Sequence, residues 1–352
     1  MKKKVLQVGP LPPPIGGMSV FLQQLKNFKS ERYELDFFNI FPKKNKPLNK
    51  LANNALILGK FFWALKKEKP DLVHIHTAAY RAFTKSRYLV GIAKKLGFPV
   101  VLHIHSGKFI EFYRGLSVGD QRTMDETLQK CDRIVCLSPT WKSQFVENFP
   151  VEEDRFTVVP NAIFVDQFKD VTPLPADEGK VVLFVGKVGE NKGILDIIEI
   201  AKKLKERSDV KFLVMGNGPL DQHLKREIEE HDLNMEQLGT LHGDDKIEHY
   251  KRANVFILPS YFEALGLSNL EGMAAGHVVL STRVGAVPDI IHDGEEGYLF
   301  QPGDVDGFVN KIVELDAETM NGISVHNREK AKDYDFQELN ERLESLYDEM
   351  ID

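Results

Sequence analysis

Cysteine is nearly absent from this chain: 352 residues contain two, Cys131 and Cys136. That excludes a disulfide scaffold and a cysteine-rich metal site, and it suits ordinary thiols in a reducing compartment. No run of eighteen uncharged apolar residues occurs, so no membrane-spanning helix is expected. The opening MKKKVLQVGP is basic but has only a short apolar run and no small-residue cleavage site, so we read no signal peptide and expect a cytoplasmic protein. A GxGxxG fingerprint is missing, which counts against a dinucleotide oxidoreductase. GxxxxGK[ST] is missing too, so this is not a P-loop protein. There is no short-period repeat and no low-complexity tract.

What is present is the composition of a folded protein. Apolar residues make up 42% and charged residues 28%, enough for a sizeable core, and the length suits two domains. The net charge of −6 hides an asymmetry. Residues 1–170 carry 27 Lys+Arg against 16 Asp+Glu, and residues 171–352 carry 19 against 36. The first hundred residues alone hold 19 basic and 5 acidic side chains. Two bodies with different partners are implied, the first preferring something anionic.

Short apolar runs alternate with helical stretches along the first half: KVLQVG (4–9), LDFFNI (35–40), DLVHIH (71–76), VVLHIH (100–105) and RIVCLS (133–138). Each is bounded by Pro, Gly, Asp or Ser, the rhythm of βαβ units on a parallel sheet. Residues 166–180 are polar and contain proline, as a linker would. A second alternation follows, with strands at 181–186, 211–216, 255–260, 278–282 and 297–300 and helices near 192–207, 219–231 and 269–275. The fold class predicted is therefore α/β, with two tandem Rossmann-like doubly wound domains (1–170 and 171–335) facing across a cleft. Ligands of such sheets bind at the carboxyl ends of the strands. The closing segment 336–352 has Leu339, Leu343, Leu346 and Met350 at helical spacing. That stripe needs a surface to cover it, expected to be the N-terminal domain.

Four constellations carry chemistry. In PSYFEALGLSNLEGMAAG (259–276), Glu263 and Glu271 flank seven residues. The backbone N–H groups around Gly266, Leu267 and Ser268 would be the unpaired donors of a helix N-terminus, an anion site. Glu271 suits a ribose and Glu263 sugar hydroxyls, although two solvated glutamates is the ordinary reading of such a pair. In FVGKVGENKGI (184–194), Lys187 and Lys192 near a helix start suit a diphosphate whose charge grows as it departs; two solvated lysines are the plain alternative. In PLPPPIGGM, Gly16 and Gly17 let backbone approach a phosphate, or simply make a tight turn. Histidines end two strands: His74 and His76, then His103 and His105. Buried and satisfied histidines, ligand contact by His76 and His105, or a metal half-site are the open readings. No acidic or cysteine partner spacing favours the metal.

These residues, in this order, resemble the retaining glycosyltransferases of the GT-B fold, family 4, group 1, which carry an E-x₇-E motif. The resemblance rests on the Gly16–Gly17 loop, the HxH strand end, PNAI (160–163), VGKVGENKG (185–193), MGNGP (215–219), the block 258–276, and VGAVPDII (284–291) followed by GYLFQPGD (297–304). It implies transfer of a sugar from a nucleotide-diphosphate sugar to an acceptor hydroxyl, with retention and without a cofactor or metal. Carried over by position, Gly16 and Gly17 would meet the donor, and His105 the sugar near its reacting carbon. Lys187 and Lys192 would hold the diphosphate, and Glu263 the sugar hydroxyls. Leu267 and Ser268 would offer backbone N–H groups, Glu271 would bind the ribose, and Gly216 would lie near the nucleotide. The chain departs from the pattern with Lys187 for Arg, Gly272 for Ala, His277 for Pro and Asp289 for Glu. Another GT-B activity such as an epimerase, or a non-catalytic nucleotide-sugar binder, is the alternative.

The acceptor is less legible. Residues 43–69 mix lysines with Leu56, Ile57, Leu58, Phe61, Phe62 and Trp63. Such a segment either lies on an anionic membrane surface or is an ordinary amphipathic helix. A glycan or lipid-linked acceptor of envelope polysaccharide assembly would fit. No nucleic-acid-binding motif accompanies the basic residues, so a nucleic-acid partner is not expected.

Overall fold

The structure is a computed structural model and describes residues 2–13, 16–41 and 50–351. The chain divides into two compact units, one of residues 1–161 with 339–352 and the other of residues 162–338.

The first unit is a six-stranded parallel sheet flanked by helices. Its strands are β1 (Lys3–Gly9), β2 (Tyr33–Asn39), β3 (Leu72–Thr77), β4 (Val100–Ile104), β5 (Arg133–Cys136) and β6 (Phe156–Val158), in the order β2-β1-β3-β4-β5-β6. Between them run α1 (Gly17–Gln24), α2 (Lys50–Glu68), α3 (Arg81–Lys95), α4 (Phe109–Arg114), α5 (Val118–Lys130) and α6 (Pro139–Asn148). Every residue of β3 and β4 is buried, as expected where helices cover both faces of a parallel sheet. Local chemistry sets the boundaries. Ser138 caps α6 by accepting from the Trp141 N–H, and Pro139 occupies the first turn, where no N–H is needed.

The second unit repeats the plan with β7 (Lys180–Val185), β8 (Val210–Met215), β9 (Met235–Gly239), β10 (Val255–Leu258), β11 (Val278–Thr282) and β12 (Gly297–Phe300), in the order β12-β11-β10-β7-β8-β9. Its helices are α7 (Ile194–Lys203), α8 (Asp221–His231), α9 (Gly243–Lys251), α10 (Leu267–Ala274), α11 (Val305–Glu314) and α12 (Ala317–Lys330); α13 (Phe336–Ile351) closes the chain. These are two Rossmann-like domains. The polar stretch 166–180 is anchored rather than free: Phe168 and Val171 are buried, with Phe168 edge-on to Tyr250 at 5.1 Å.

Leu343, Leu346 and Tyr347 of α13 are buried, and burying each leucine contributes roughly 1.5–3 kcal/mol. Tyr347 packs against Tyr33, and Arg32 pairs with Glu344 and Asp348.

Of the lysine-rich segment 43–69, residues 43–49 lie outside the described residues. In α2 the 3.6-residue period separates two faces. Ile57, Phe61 and Leu65 are buried, and Phe61 meets Phe38 at 5.3 Å. Phe61 therefore belongs to the core and not to a surface cluster. Leu56 and Trp63 are exposed, Trp63 at 68%, on the same side as Lys60 and Lys67.

Candidate functional site

In the second unit the strand order reverses between β7 and β10. Connections leaving two such strands part to opposite sides, which opens a crevice at their carboxyl ends. Lys187 lies two residues beyond β7. With Gly189, Glu190, Asn191, Lys192, Pro219 and Leu220 it lines a recess of ≈ 320 Å³.

Two glycines let these loops close up. Gly193 has φ +72°, and a Cβ there would lie 2.0 Å from the Pro259 carbonyl oxygen. Gly216 has φ +137°, and its Cβ would lie 1.8 Å from the Gly186 oxygen. Both positions exclude any side chain. The contact at Gly193 lays the 190–193 turn on the end of β10, where the Tyr261 N–H donates to the Asn191 oxygen at 3.1 Å. Lys192 thereby reaches Glu263, Nζ to Oε1, at 2.5 Å. Ser260 donates its hydroxyl to the same oxygen at 2.8 Å. The Glu263 side chain is 8% exposed and Lys192 30%. Oε2 of Glu263 has no partner among the described residues, and Lys192 keeps two further N–H donors. The pair can accept hydroxyls and donate to an anion at once.

Gly266, with φ +85°, is the N-cap of α10 and supplies no side-chain cap. The N–H groups of Leu267 and Ser268 have no acceptor among the described residues. They form a helix N-terminus open to negative charge. Glu271 lies one turn further on and is held elsewhere. Lys246 Nζ donates to Oε1 at 2.5 Å and the Tyr250 hydroxyl to Oε2 at 2.9 Å. The structure thus joins Lys187 to Lys192 and Lys192 to Glu263, and gives Glu271 a different set of partners. Ser260, Lys246 and Tyr250 escaped the sequence reading. Lys246 and Tyr250 stand four apart on α9 and so share a face, a signal that only gains meaning once α9 is placed. Gly272 also has its reason here, since a Cβ would come within 2.6 Å of the Phe256 ring.

The sequence has two Asp-x-Asp triplets, at 304–306 and 333–335, and both are used structurally. Asp304 caps α11, Asp306 pairs with Lys203, Asp333 pairs with Lys330, and Asp335 accepts from the Val165 N–H.

The first unit places its candidates at the carboxyl edge of its own sheet. Gly16 is the N-cap of α1 and Gly17 its first residue; residues 14 and 15 lie outside the described residues. A Cβ at either glycine would meet nothing within 4 Å. Within this unit, then, neither packing nor a left-handed backbone requires glycine there. His105 follows β4, part-exposed. His74, His76 and His103 are buried beneath it, with His103 stacked on His105 at 4.0 Å. Desolvation pulls His74 and His105 down to about 3, and holds His76 and His103 well below the usual imidazole range, so all four are neutral near pH 7.

His74, His76 and His103 bring ligand-type nitrogens within 4.8 Å of one another. Their rings do not converge on a metal. His74 is stacked on His76 (20° between planes) and on His103 (16°), whereas a shared ion must lie near each ring plane. Both nitrogens of His76 are already engaged, by Gln7 and His105. His76 is thus an internal link rather than a ligand contact. Cys131 and Cys136 are buried and pushed up to about 12 by desolvation, which leaves no thiolate nucleophile.

Comparison with known proteins decides the family. Residues 166–333 match the "Glycosyl transferases group 1" family model and residues 19–167 match the "Glycosyltransferase Family 4" model. The chain is a group 1, family 4-type glycosyltransferase. It is 29% identical over 292 residues to the sulfoquinovosyl transferase SQD2 of Arabidopsis thaliana, covering 76% of this chain and 54% of that protein. The chain thus spans about half the length of that relative. A UDP-Gal:alpha-D-GlcNAc-diphosphoundecaprenol alpha-1,3-galactosyltransferase of Escherichia coli is 24% identical over 99% of this chain and 98% of its own length. Among solved structures, HepE of Anabaena in complex with UDP-glucose superposes with a TM-score of 0.76 at 18% identity, covering 98% of this chain and 99% of that one. That likeness concerns the GT-B fold alone.

Proposed function

We propose that this glycosyltransferase takes its sugar from a nucleotide-diphosphate sugar, a UDP-sugar first among them, and transfers it with retention to a lipid-linked or glycan hydroxyl of envelope polysaccharide or glycolipid synthesis. The observation that carries the reading is the recess of the second unit. Lys187 and Lys192 line it, Lys192 bonds to Glu263, and the open N-terminus of α10 belongs to the same carboxyl edge. Two ammonium groups and a helix N-terminus can stabilise a departing diphosphate as its charge develops. The partly unpartnered Glu263 carboxylate suits the donor sugar's hydroxyls, and Glu271, with lone pairs to spare, the ribose. No step here is assigned to a metal. On the first unit Gly16, Gly17 and His105 are assigned to the donor's phosphates and sugar.

A HepE structure contains UDP-glucose, and the E. coli relative is named for a UDP-galactose donor and an undecaprenol-linked acceptor; both support the choice of donor and acceptor class. For attachment to an anionic membrane face we assign the side of α2 that carries Leu56, Lys60, Trp63 and Lys67. None of the described helices is long and apolar enough to cross a membrane.

A thermal-shift panel of UDP-, GDP- and ADP-sugars tests the donor. One base should raise the unfolding temperature, by RT ln(1 + [L]/Kd) in free energy, and the shift should vanish in Lys192→Ala. A panel with no shift for any base sinks the reading. Product analysis with the matching polyprenyl-linked acceptor, reading the anomeric configuration by NMR, tests acceptor and retention.

A further inference from the structure

Three of the four histidines in this layer of the first unit, His74, His76 and His105, are joined by one chain of hydrogen bonds whose links each span 29 residues or more in sequence. Tyr347, on α13, lies 2.9 Å from the Gln7 side-chain nitrogen. The Gln7 side-chain oxygen lies 2.8 Å from His76 Nε2. His76 Nδ1 lies 2.9 Å from His105 Nε2. Tyr347 also meets His74 Nδ1 at 3.0 Å. Gln7, His74, His76 and Tyr347 are each at most 1% exposed, so the chain is closed to solvent up to its part-exposed end at His105.

Such a chain has few protonation patterns open to it. A neutral imidazole carries one N–H, and an amide presents a donor on one side and an acceptor on the other. With the Gln7 amide oxygen toward His76, Nε2 of His76 must bear its proton. Its Nδ1 is then bare and accepts from Nε2–H of His105, which leaves His105 Nδ1 bare. With the amide turned end for end, every link reverses and His105 Nδ1 bears the proton. Mixed patterns bury a donor against a donor or an acceptor against an acceptor, and are costly. The polarity is therefore chosen at Gln7, whose amide nitrogen donates to the Tyr347 hydroxyl while that hydroxyl faces His74 Nδ1. Nδ1 is the one His105 nitrogen outside the chain, and the Asn161 side chain is its neighbour. Donor or acceptor character at that position matters to whatever hydroxyl or amide meets it.

We propose that Tyr347, Gln7 and His76 are positioning residues that hold His105 in a single tautomer, so that the side chain assigned to the donor sugar is set from two strands away on the same face of the sheet. This rests on the assignment of His105 given above.

The test is two-bond ¹H–¹⁵N correlation spectroscopy on the full chain labelled at histidine nitrogen, near pH 7.5, with turnover measured on the same samples. The wild type should show His105 as one tautomer. Gln7→Met and Tyr347→Phe should each give a mixture or the opposite tautomer and lower kcat about tenfold, with tryptophan fluorescence reporting the folded fraction. Two variants are needed because either alone could lower stability. A tautomer mixture in the wild type, or an unchanged tautomer in both folded variants, overturns the proposal. Full turnover in His105→Ala instead overturns the underlying assignment, whatever the spectra show.

Discussion

Acidification should unfold the first unit well before ordinary carboxylate titration does. His74, His76, His103 and His105 are stacked in one layer and held neutral by desolvation. Their folded pKa values lie below the unfolded value of about 6.5. The stability they contribute is thus fully present above pH 6.5, and is lost as pH falls from there toward about 3. At pH 5.5 protonation favours the unfolded chain by roughly 1 kcal/mol for each histidine that stays neutral when folded, so the layer as a whole contributes several kcal/mol, comparable to the whole stability of a typical domain. The limiting slope approaches four protons. Both tryptophans, Trp63 and Trp141, belong to this unit, so intrinsic fluorescence in urea reads it alone. Unfolding free energies at pH 8, 7, 6 and 5.5 give the slope, and His103→Leu should lower it by about one proton. A wild-type slope of one proton or less over pH 7–5.5 would refute the argument, because it would mean the layer charges without unfolding.

Lys192→Ala and Glu263→Gln should each lower kcat/KM at least about a hundredfold while cooperative unfolding persists, as for removal of a preorganised charge contact; loss of the unfolding transition would reassign the pair to structure. Leu56→Ser with Trp63→Ser should weaken sedimentation with anionic vesicles and leave the melting temperature nearly unchanged. Phe61→Ala, by contrast, should destabilise by about 3–5 kcal/mol, since that ring is fully buried against Phe38. Gly193→Ala should disrupt the 190–193 turn. Its Cβ would overlap the Pro259 carbonyl, so both nucleotide-induced thermal shift and turnover should fall together.

Much of this protein is local, and local features are readable in a sequence. Apolar runs bounded by turn residues announce ten of the twelve strands, because a strand covered on both faces is largely apolar, the buried histidines of β3 and β4 aside. The two that escaped, β6 (FTV) and β9 (MEQLG), are sheet edges, partly exposed and with no pattern of their own. Lys187, Lys192, Glu263 and the start of α10 stand out for a similar reason: each lies just beyond a strand end, where phosphate-binding loops belong. Tertiary structure decided the partnerships. Lys192 and Glu263 are 71 positions apart and meet because β7 and β10 are neighbours in the sheet. Glu271 turns to Lys246 and Tyr250, and Phe61 turns inward. Gln7, the lone uncharged polar residue in KVLQVG, becomes the centre of a hydrogen-bond chain only when β1, β3 and α13 are packed together. Side-chain periodicity says which face a residue takes; strand order and crossovers, which no local pattern encodes, say what lies opposite it.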